Sequence, residues 1–507
     1  MKKFTTISAL LMVAGQMLAQ NETDALRYSQ LSFGGTARYN SMAGAFGSLG
    51  GDFSTLSSNP GGIGLYRSSE FTFSPALYFQ STSSTYAGVV SDDQKQNFNI
   101  GNLGLVTTHN LDPENTKEGW KFFQFGVGMN RLANYNSQTT IAGQSNTSQM
   151  DVWRDQASGT YFSNLDPYGT GLAFNTYLID TIRGSGGSQY VNPLGPTDRV
   201  NQVKSIQTSG RYNEWVISFG GNYNNKLFLG GTIGIPTLMY TENTSYVESA
   251  VPGNTSNFSS FTYNQNLTTT GSGINVKVGA IYKPIEFLRL GLAFHSKTWM
   301  NMSDSWGATM TSSFANGNNY SWTPNPGVYN YSLTTPGRII ASVGMVVGKM
   351  GMINVDYEYV DYTQSSLSSA DAGVFSDANT AIKKTYTQTG NIRIGGEIKL
   401  KPMAVRVGYA YYGSPYSSAG NNDGGRNYFT AGVGFRHNKF FLDLAYVLTM
   451  SQEKYYLYDA QYQNGPNGTG PAVNATNASS FMMTLGFKFT QQPMQRRARR
   501  MPPPRPW

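Results

Sequence analysis

The chain has 507 residues, a net charge of +8, no cysteine and only 13% charged residues. Soluble proteins usually have about 25% charged residues, so this composition is typical of a protein whose outer surface meets lipid. The lack of cysteine excludes a lipoprotein, a disulfide scaffold and cysteine–zinc sites, and much of the positive charge lies in a short C-terminal tail, which argues against nucleic-acid binding.

The N-terminus has the pattern of a secretory signal peptide. Lys2 and Lys3 precede an apolar stretch over residues 7–18, and Ala19 offers a small residue for cleavage before Gln20. The apolar stretch is too short to span a membrane. We therefore expect residues 1–19 to be removed on export.

Residues 20–69 lack regular alternation and are rich in small side chains between residues 37 and 64. The turn at Asn59, Pro60 and Gly61 frees the backbone to enter positive φ and to pass close to other segments. We interpret residues 20–69 as an N-terminal hatch that plugs the lumen of a barrel and is anchored and gated through these three residues. The alternative is a disordered periplasmic leader.

From residue 70 onward, apolar residues alternate with small or polar ones in segments of about ten residues. Such alternation is typical of strands with one apolar face, and no stretch of the mature chain approaches the ~18 apolar residues of a membrane helix. An all-β fold is therefore predicted over residues 70–490, a transmembrane antiparallel β-barrel of about 14 strands. The candidate strands are 70–81, 97–108, 120–134, 211–223, 226–241, 270–283, 287–300, 334–347, 350–362, 388–400, 403–413, 427–437, 439–451 and 479–489.

The connections between these strands alternate between short and long. Short turns are predicted at Asn224-Asn225, Lys283-Pro284-Ile285, Gly348-Lys349, Lys401-Pro402 and His437-Asn438, and long polar loops at 136–210, 242–269, 301–333, 363–387 and 452–478. Outer-membrane barrels have short periplasmic turns and long extracellular loops. The pattern predicts an outer-membrane protein, in contact with outer-membrane lipid, with both chain ends in the periplasm.

Charged residues on the strands share the phase of the small residues, opposite the apolar phase. A charge facing lipid at mid-membrane costs on the order of 2–4 kcal/mol, so these side chains are expected to face the lumen. Charges of both signs occur there, which predicts one paired polar network with a structural role. Its predicted members are Asp356, Glu358, Arg393, Glu397, Arg406 and Asp443.

The chain ends in a basic, proline-rich segment at residues 491–507. Arginines and prolines in an extended segment are typical of a recognition tail, and a periplasmic or outer-membrane protein partner is one interpretation. A solvated tail without a partner is the other. The residues expected to contact a partner are Arg496, Arg497, Arg499, Arg500 and Trp507.

Three motifs in the hatch segment carry a family resemblance. They are Met42-Ala43-Gly44-Ala45, Asp52-Phe53-Ser54-Thr55 and Asn59-Pro60-Gly61. Together they resemble the hatch of the FadL/TodX family of outer-membrane transporters for hydrophobic compounds, specifically over residues 37–66. That family usually has alanine where this chain has Gly61, a change expected to keep the tight backbone passage but to loosen the hatch.

The resemblance implies uptake of a hydrophobic small-molecule ligand. In that family, ligands are captured at the extracellular loops, enter an apolar pocket and leave sideways where the third strand is kinked. In this chain Gly126 and Gly128 lie on the third candidate strand and fit such a kink, although ordinary barrel curvature explains them as well.

No arrangement of residues in the sequence indicates catalysis, a metal site or a cofactor. His109 and His437 fall near predicted periplasmic turns, and only His295 has the lumen phase. The first hypothesis is therefore a non-enzymatic channel for hydrophobic small molecules, gated by the hatch. The alternative is a non-transporting barrel of the same kind that serves as a binding or scaffold subunit of a larger outer-membrane complex.

Overall fold

The computed structural model describes residues 21–112, 114, 118–348, 350–466 and 468–489. The predicted signal peptide, the tail at 491–507 with its arginines, and Lys349 of one predicted turn lie outside these ranges. Within them the chain is mostly β-strand, with short helical segments before the first strand and in the connections.

The strands are β1 Ser69–Tyr86, β2 Val89–Asn110, β3 Trp120–Asn134, β4 Ser137–Ser145, β5 Asp180–Thr181, β6 Tyr190–Val191, β7 Val200–Tyr223, β8 Leu227–Ala250, β9 Phe258–Ile285, β10 Leu288–His295, β11 Thr298–Phe314, β12 Asn319–Trp322, β13 Gly327–Thr335, β14 Arg338–Val347, β15 Gly351–Asp361, β16 Ser366–Ser368, β17 Gln388–Leu400, β18 Met403–Tyr412, β19 Arg426–His437, β20 Phe440–Tyr455 and β21 Ala472–Phe489. The α-helices are α1 Glu22–Ser29, α2 Ala37–Asn40, α3 Gln149–Ala157, α4 Thr170–Asn175, α5 Ser376–Thr385 and α6 Ala460–Gln463. Short 3-10 helices lie at Phe53–Ser57, Pro60–Leu65, Phe162–Asn164, Tyr362–Gln364 and Ser418–Gly420.

These strands form a closed antiparallel barrel of 14 strands, as predicted. Three pairs of consecutive segments, β3 with β4, β10 with β11 and β13 with β14, each act as one interrupted barrel strand, because both members of a pair hydrogen-bond to the same neighbouring strand or strand pair. The barrel closes where β1 pairs with β21, from Ser69 opposite Phe489 to Thr85 opposite Val473. Closure pairs the first and last strands, so neither leaves a free sheet edge in lipid.

Alternation along the strands divides the barrel wall into two faces. On β10, Leu292 and Phe294 are 59% and 52% exposed on the outside, whereas Ala293 and His295 are 2% and 7% exposed on the inside. The outer face is therefore an apolar belt and the inner face is small or polar. This arrangement places the chain in the outer membrane, as predicted.

Tight turns join the strands at one end of the barrel. Asn224 and Asn225 have φ of 52° and 58°, and Asn438 has φ of 53°. Asparagine tolerates this left-handed conformation, and turns of this hand match the twist of the flanking strands. We assign the short-turn end to the periplasm.

Two predicted long loops are largely strand. The loops expected at 242–269 and 301–333 shrink because β8 continues to Ala250, β9 begins at Phe258 and β11 continues to Phe314. Beyond the lipid the outer faces of these strands meet water, so Ser, Thr and Asn replace the apolar residues of the outward phase. The hydrophobic signal is lost while the backbone ladder persists.

The long segment between β4 and β7 folds into a cap at the extracellular end. Helices α3 and α4 bring their apolar faces onto the protruding strands. The resulting core is well buried and includes Met150, Trp153, Leu172, Phe261, Met310 and Leu457. This mouth of the barrel is therefore covered by ordered structure.

The segment before β1 lies inside the barrel. Most of its side chains are buried, including Met42, Phe46, Leu56 and Ile63. Its regular structure is limited to α1, α2 and two 3-10 helices, and no helix in the described ranges is long and apolar enough to cross a membrane. We refer to residues 21–68 as the hatch.

Candidate functional site: the hatch and the lumen wall

A carboxylate on the barrel wall holds one turn of the hatch. Asp356 on β15 accepts hydrogen bonds from the backbone N–H groups of Phe46 (3.2 Å) and Gly47 (3.1 Å). Its carboxylate is also supported by Asn354 Nδ2 at 2.5 Å. Hydrogen bonds to a charged acceptor are among the stronger ones in proteins, so this contact anchors the hatch to the wall.

Other wall side chains pair with hatch backbone groups in the same way. Arg289 Nη1 donates to the carbonyl of Leu49 (2.8 Å), and Thr484 Oγ1 accepts from the N–H of Ala37 (2.7 Å). His295 Nε2 lies 2.6 Å from the carbonyl oxygen of Ser58. A buried segment with little regular structure must find partners for its N–H and C=O groups, and the lumen wall supplies them.

The turn predicted to anchor the hatch lies against β9. Asn59 Nδ2 donates to the carbonyls of Gly47 (2.6 Å) and Ala280 (3.2 Å), and its Oδ1 accepts from the N–H of Gly61 (3.0 Å). A Cβ at Gly61 would lie 2.9 Å from Ala280 Cα. The expected tight backbone passage is present at Gly61, because its absent side chain lets the turn approach the wall closely.

A belt of lumen-facing glycines surrounds the hatch. A Cβ on any of them would come within 3 Å of a hatch atom, a distance at which a neighbouring group must move. At Gly230, for example, the added carbon would lie 2.1 Å from the carbonyl oxygen of Pro60. The members of this glycine belt are Gly104, Gly126, Gly128, Gly220, Gly230, Gly279, Gly291, Gly344, Gly395, Gly408 and Gly432.

Gly126 and Gly128 belong to this belt and do not mark a kink. Both lie within continuous ladders from β3 to β2 and to β7, with no change of register at either position. A Cβ at Gly128 would lie 2.6 Å from the Phe53 ring, so the glycine makes room for the hatch. The register of β3 instead shifts against β7 between Arg131 and Ala133.

A lateral seam opens in the wall just before that shift. The ladder between β2 and β3 ends at the pair Asn102 and Asn130, and in the described residues no backbone ladder joins β2 to β3 or β4 beyond it. Side chains bridge the gap, as in the contact from the Thr140 N–H to Asp93. Phe98, four residues before Asn102 on β2, is 65% exposed beside the seam.

The hatch covers this lateral seam from inside the barrel. The N–H of Ser32 donates to the carbonyl of Leu132 (3.1 Å), which satisfies a strand edge that β2 does not reach. A Cβ at Gly34 would lie 1.8 Å from the carbonyl oxygen of Arg131, so the two backbones are in close contact. The hatch therefore closes the lateral seam from the lumen side.

The six predicted lumen charges are buried and paired, but they form two clusters instead of one network. The first, which we call the upper cluster, is centred on Arg393, which lies 3.3 Å from Glu358 and 3.7 Å from Asp356. The second, the lower cluster, is centred on Arg406, which lies 2.6 Å from Glu397 and 2.7 Å from Asp443. No ion pair of the described residues links the two clusters. The hatch backbone passes between the two clusters. It touches the wall at Gly395, which lies on β17 between Arg393 and Glu397, because a Cβ there would lie 2.4 Å from the carbonyl oxygen of Met42.

Sequence reasoning missed two arginines that complete these clusters. Arg338 Nη1 lies 3.0 Å from Glu358, and Arg38 Nε of the hatch lies 3.1 Å from Glu397. Arg338 is the first residue of β14 and has the same inward phase as Ser342 and Gly344, so alternation along the candidate strand 334–347 could have identified it. Arg38 has no strand phase, and a pattern of alternation could not identify it.

The first helix of the hatch, α1, lies in an aromatic part of the lumen. The ring of Tyr28 packs edge-on against Tyr240 at 5.9 Å between centroids. Arg27 pairs with Asp24 and lies over the Tyr240 ring at 4.6 Å. Burial raises the pKa of Asp24 to about 7, and the positive charge of Arg27 opposes that rise. Other buried members of this aromatic cluster are Tyr212, Met300, Met302, Tyr331 and Leu333.

A small cavity lies beside the hatch. Its volume is about 50 Å³, and it lies between hatch and wall, next to Lys277, His295 and Arg338. This volume accommodates water but not an organic ligand. The hatch therefore leaves no room for an organic ligand at this point of the lumen.

The histidines do not gather into a reactive site. His109 and His437 lie at the short-turn ends of β2 and β19. His295, by contrast, lies inside the barrel and contacts the hatch. In the described ranges no group of three or more His, Cys, Asp or Glu side chains is placed to hold a metal ion.

Solved structures with the same architecture were found by comparison of folds. A FadL homologue of Pseudomonas aeruginosa is 13% identical, with a TM-score of 0.54 over 90% of this chain and 99% of that one. The toluene transporter TodX of P. putida is 12% identical, with a TM-score of 0.52 over 91% of this chain and 100% of that one. The toluene transporter TbuX of Ralstonia pickettii is 13% identical, with a TM-score of 0.50 over 90% of this chain and 99% of that one. The chain has the FadL/TodX-type fold. No protein-family model and no curated protein matches its sequence.

The FadL/TodX-type fold confirms the predicted barrel, and the hatch occupies the lumen within it. The first strand begins at Ser69, one residue before the expected boundary.

Proposed function

We propose that the protein carries hydrophobic small molecules across the outer membrane, with the hatch as its gate. The observation that carries the proposal is the contact of Ser32 and Gly34 with the open edge of β3. Because the same segment plugs the lumen and covers the lateral seam, one displacement of the hatch would open both. A ligand would then leave sideways toward the lipid.

Two aromatic regions and the lateral seam mark the proposed route. Tyr161, Phe162 and Tyr177 are 47%, 42% and 51% exposed on the extracellular cap, where they offer a capture surface. The aromatic cluster around Tyr28 lies below them, and the lateral seam follows. Affinity at each stage would come from buried apolar area, about 25 cal/mol per Å² before the entropy costs of binding.

The bridges across the lateral seam suit an exit that must open. They are side-chain hydrogen bonds, such as Asn134 Nδ2 to Asn97 Oδ1 at 3.5 Å, in place of a continuous ladder. Each contributes about 0.5–1.5 kcal/mol, so a few can part without unfolding the wall. TodX and TbuX are described as toluene transporters, and we propose a monoaromatic hydrocarbon as the first ligand to test.

Uptake in cells tests the proposal. A strain lacking the gene, complemented with the full chain or with an empty vector, should differ in uptake of radiolabelled toluene at low concentration. Uptake of a polar solute of similar size should not differ. Native mass spectrometry of gently solubilised protein should retain an apolar ligand. Equal uptake in both strains, together with stable partner subunits in place of a ligand, would support the scaffold alternative.

A further inference from the structure

A second cavity opens at the short-turn end of the barrel. Its volume is about 590 Å³, within the ~300–1,000 Å³ range of small-molecule sites. It lies between the hatch and the wall strands β17, β18, β19 and β21. We call it the periplasmic vestibule, and its cationic lining residues are Arg38, Lys399, Lys401, Arg406, Arg436 and Lys488.

Cations outnumber carboxylates in this vestibule. Glu397 is the one acid in the lining and is shared by Arg406 at 2.6 Å, Arg38 at 3.1 Å and Lys399 at 3.8 Å. Asp443 lies behind the lining and is likewise shared, between Arg406 and Arg436. The local charge is therefore positive.

Side chains at the rim of the vestibule have N–H groups that can donate hydrogen bonds to a ligand. Lys488 pairs with Glu70 at 3.3 Å but is 46% exposed, and Lys401 forms no ion pair with the described carboxylates. Arg436 contacts Asp443 through one nitrogen of its fork and rests on the Phe441 ring at 4.3 Å, which leaves further N–H groups of the guanidinium for a ligand.

The floor of the vestibule is rigid by contrast. The side chains of Arg406, Glu397 and Asp443 are 1%, 2% and 0% exposed and hold each other by short ion pairs. A buried, paired floor beneath exposed cationic donors is a preorganised receptor for an anion, because the floor fixes the strands that carry the rim, and the rim supplies both the positive charge and new hydrogen bonds.

We propose that the periplasmic vestibule binds an oxyanion of the phosphate class. Guanidinium forks and ammonium groups are the side chains that phosphate oxygens prefer, and the cavity is large enough for a phosphoryl headgroup. The anion bridges the hatch, through Arg38, to the wall, through Lys399 and Lys488. Free phosphate and the headgroup of a periplasmic-leaflet phospholipid share this chemistry. The site is independent of the proposed transport of hydrophobic molecules.

Calorimetric titration of inorganic phosphate into the full chain in a neutral detergent, at pH 7 and low ionic strength, tests the site. The double variant Lys399→Gln/Lys401→Gln should bind on the order of tenfold more weakly than wild type. The control Lys226→Gln/Lys283→Gln removes the same charge from other short turns and should bind within about twofold of wild type. Equal losses in both variants would overturn the proposal.

A second arm distinguishes the two sources of the anion. The full chain in nanodiscs of phosphatidylglycerol or of phosphatidylcholine is examined by native mass spectrometry. Retention of phosphatidylglycerol that is lost in the Lys399→Gln/Lys401→Gln variant, without binding of free phosphate, assigns the site to a lipid headgroup. Binding of phosphate with no lipid preference assigns it to the free ion. Neither binding would refute the site.

Discussion

Asp356 on the barrel wall accepts hydrogen bonds from the backbone N–H of Gly47 in the hatch, at 3.1 and 3.2 Å. The alternation of β15 predicts that Asp356 faces the lumen, and there its carboxylate binds the backbone of the hatch, a segment without alternation. The same relation recurs at Arg289, Thr484 and His295. Polar side chains of the lumen wall therefore supply hydrogen-bond partners for the hatch backbone, and these bonds hold the hatch in place.

Removing the Asp356 carboxylate should release the hatch without unfolding the barrel. In Asp356→Ala the Phe46 and Gly47 N–H groups lose a charged acceptor, a cost of about 2–3 kcal/mol. Single-channel conductance should rise, and hydrogen exchange at residues 44–50 should accelerate. The control Asp361→Ala lies on the same strand but contacts Thr363 and Gln364, so it should behave as wild type. Unchanged exchange in Asp356→Ala would contradict this role.

Two adjacent glycines on β8 offer a matched test of the glycine belt. Gly230→Ala places a Cβ 2.1 Å from the Pro60 carbonyl, whereas the nearest atom to a Cβ at Gly231 is 3.8 Å away. Overpacking of this kind costs roughly 1–3 kcal/mol. We expect Gly230→Ala to displace the hatch, seen as faster proteolysis near residue 60, and Gly231→Ala to leave it in place. Similar proteolysis of the two variants would argue against the belt.

The seal of the lateral seam can be opened at Gly34. A Cβ there would lie 1.8 Å from the Arg131 carbonyl oxygen, so Gly34→Ala must push the hatch away from β3. A cysteine introduced at Leu132, which is 8% exposed, should then react faster with a membrane-soluble maleimide. Gly396→Ala, where the nearest atom is 3.6 Å away, is the control. Equal labelling rates would show that the hatch does not cover the seam.

Docking of α1 should weaken as the pH rises. Burial raises the pKa of Asp24 from 3.8 to about 7, with Arg27 opposing and Asp304 and Glu242 adding to the rise. The docked state therefore holds a proton that the free helix releases, so docking is strongest below about pH 4 and declines up to about pH 7. A spin label at Thr23→Cys should become more mobile over this range, and Asp24→Asn should remove the dependence. A label whose mobility rises toward acid pH would contradict the assignment.

Alternation of side chains was enough to predict the barrel, its strand number and the inward phase of residues such as Arg393 and Asp443. The extent of β8 and β9 could not be predicted, because beyond the lipid their outward side chains meet water and no longer form an apolar phase. The contacts of Arg38, Gly61 and the glycine belt depend on where the hatch sits in the lumen. Only the three-dimensional arrangement shows that Gly128 makes room for Phe53.

A reversible disulfide between hatch and wall tests the central claim, that the hatch must move for a ligand to pass. Ser29 Oγ on α1 lies 3.2 Å from Ser365 Oγ, and the chain has no other cysteine to interfere. Ser218→Cys/Thr232→Cys, which links two wall strands, is the control. Uptake of radiolabelled toluene by Ser29→Cys/Ser365→Cys should stop on oxidation and return on reduction, with the control unaffected. Full uptake through the oxidised, cross-linked hatch would contradict the account.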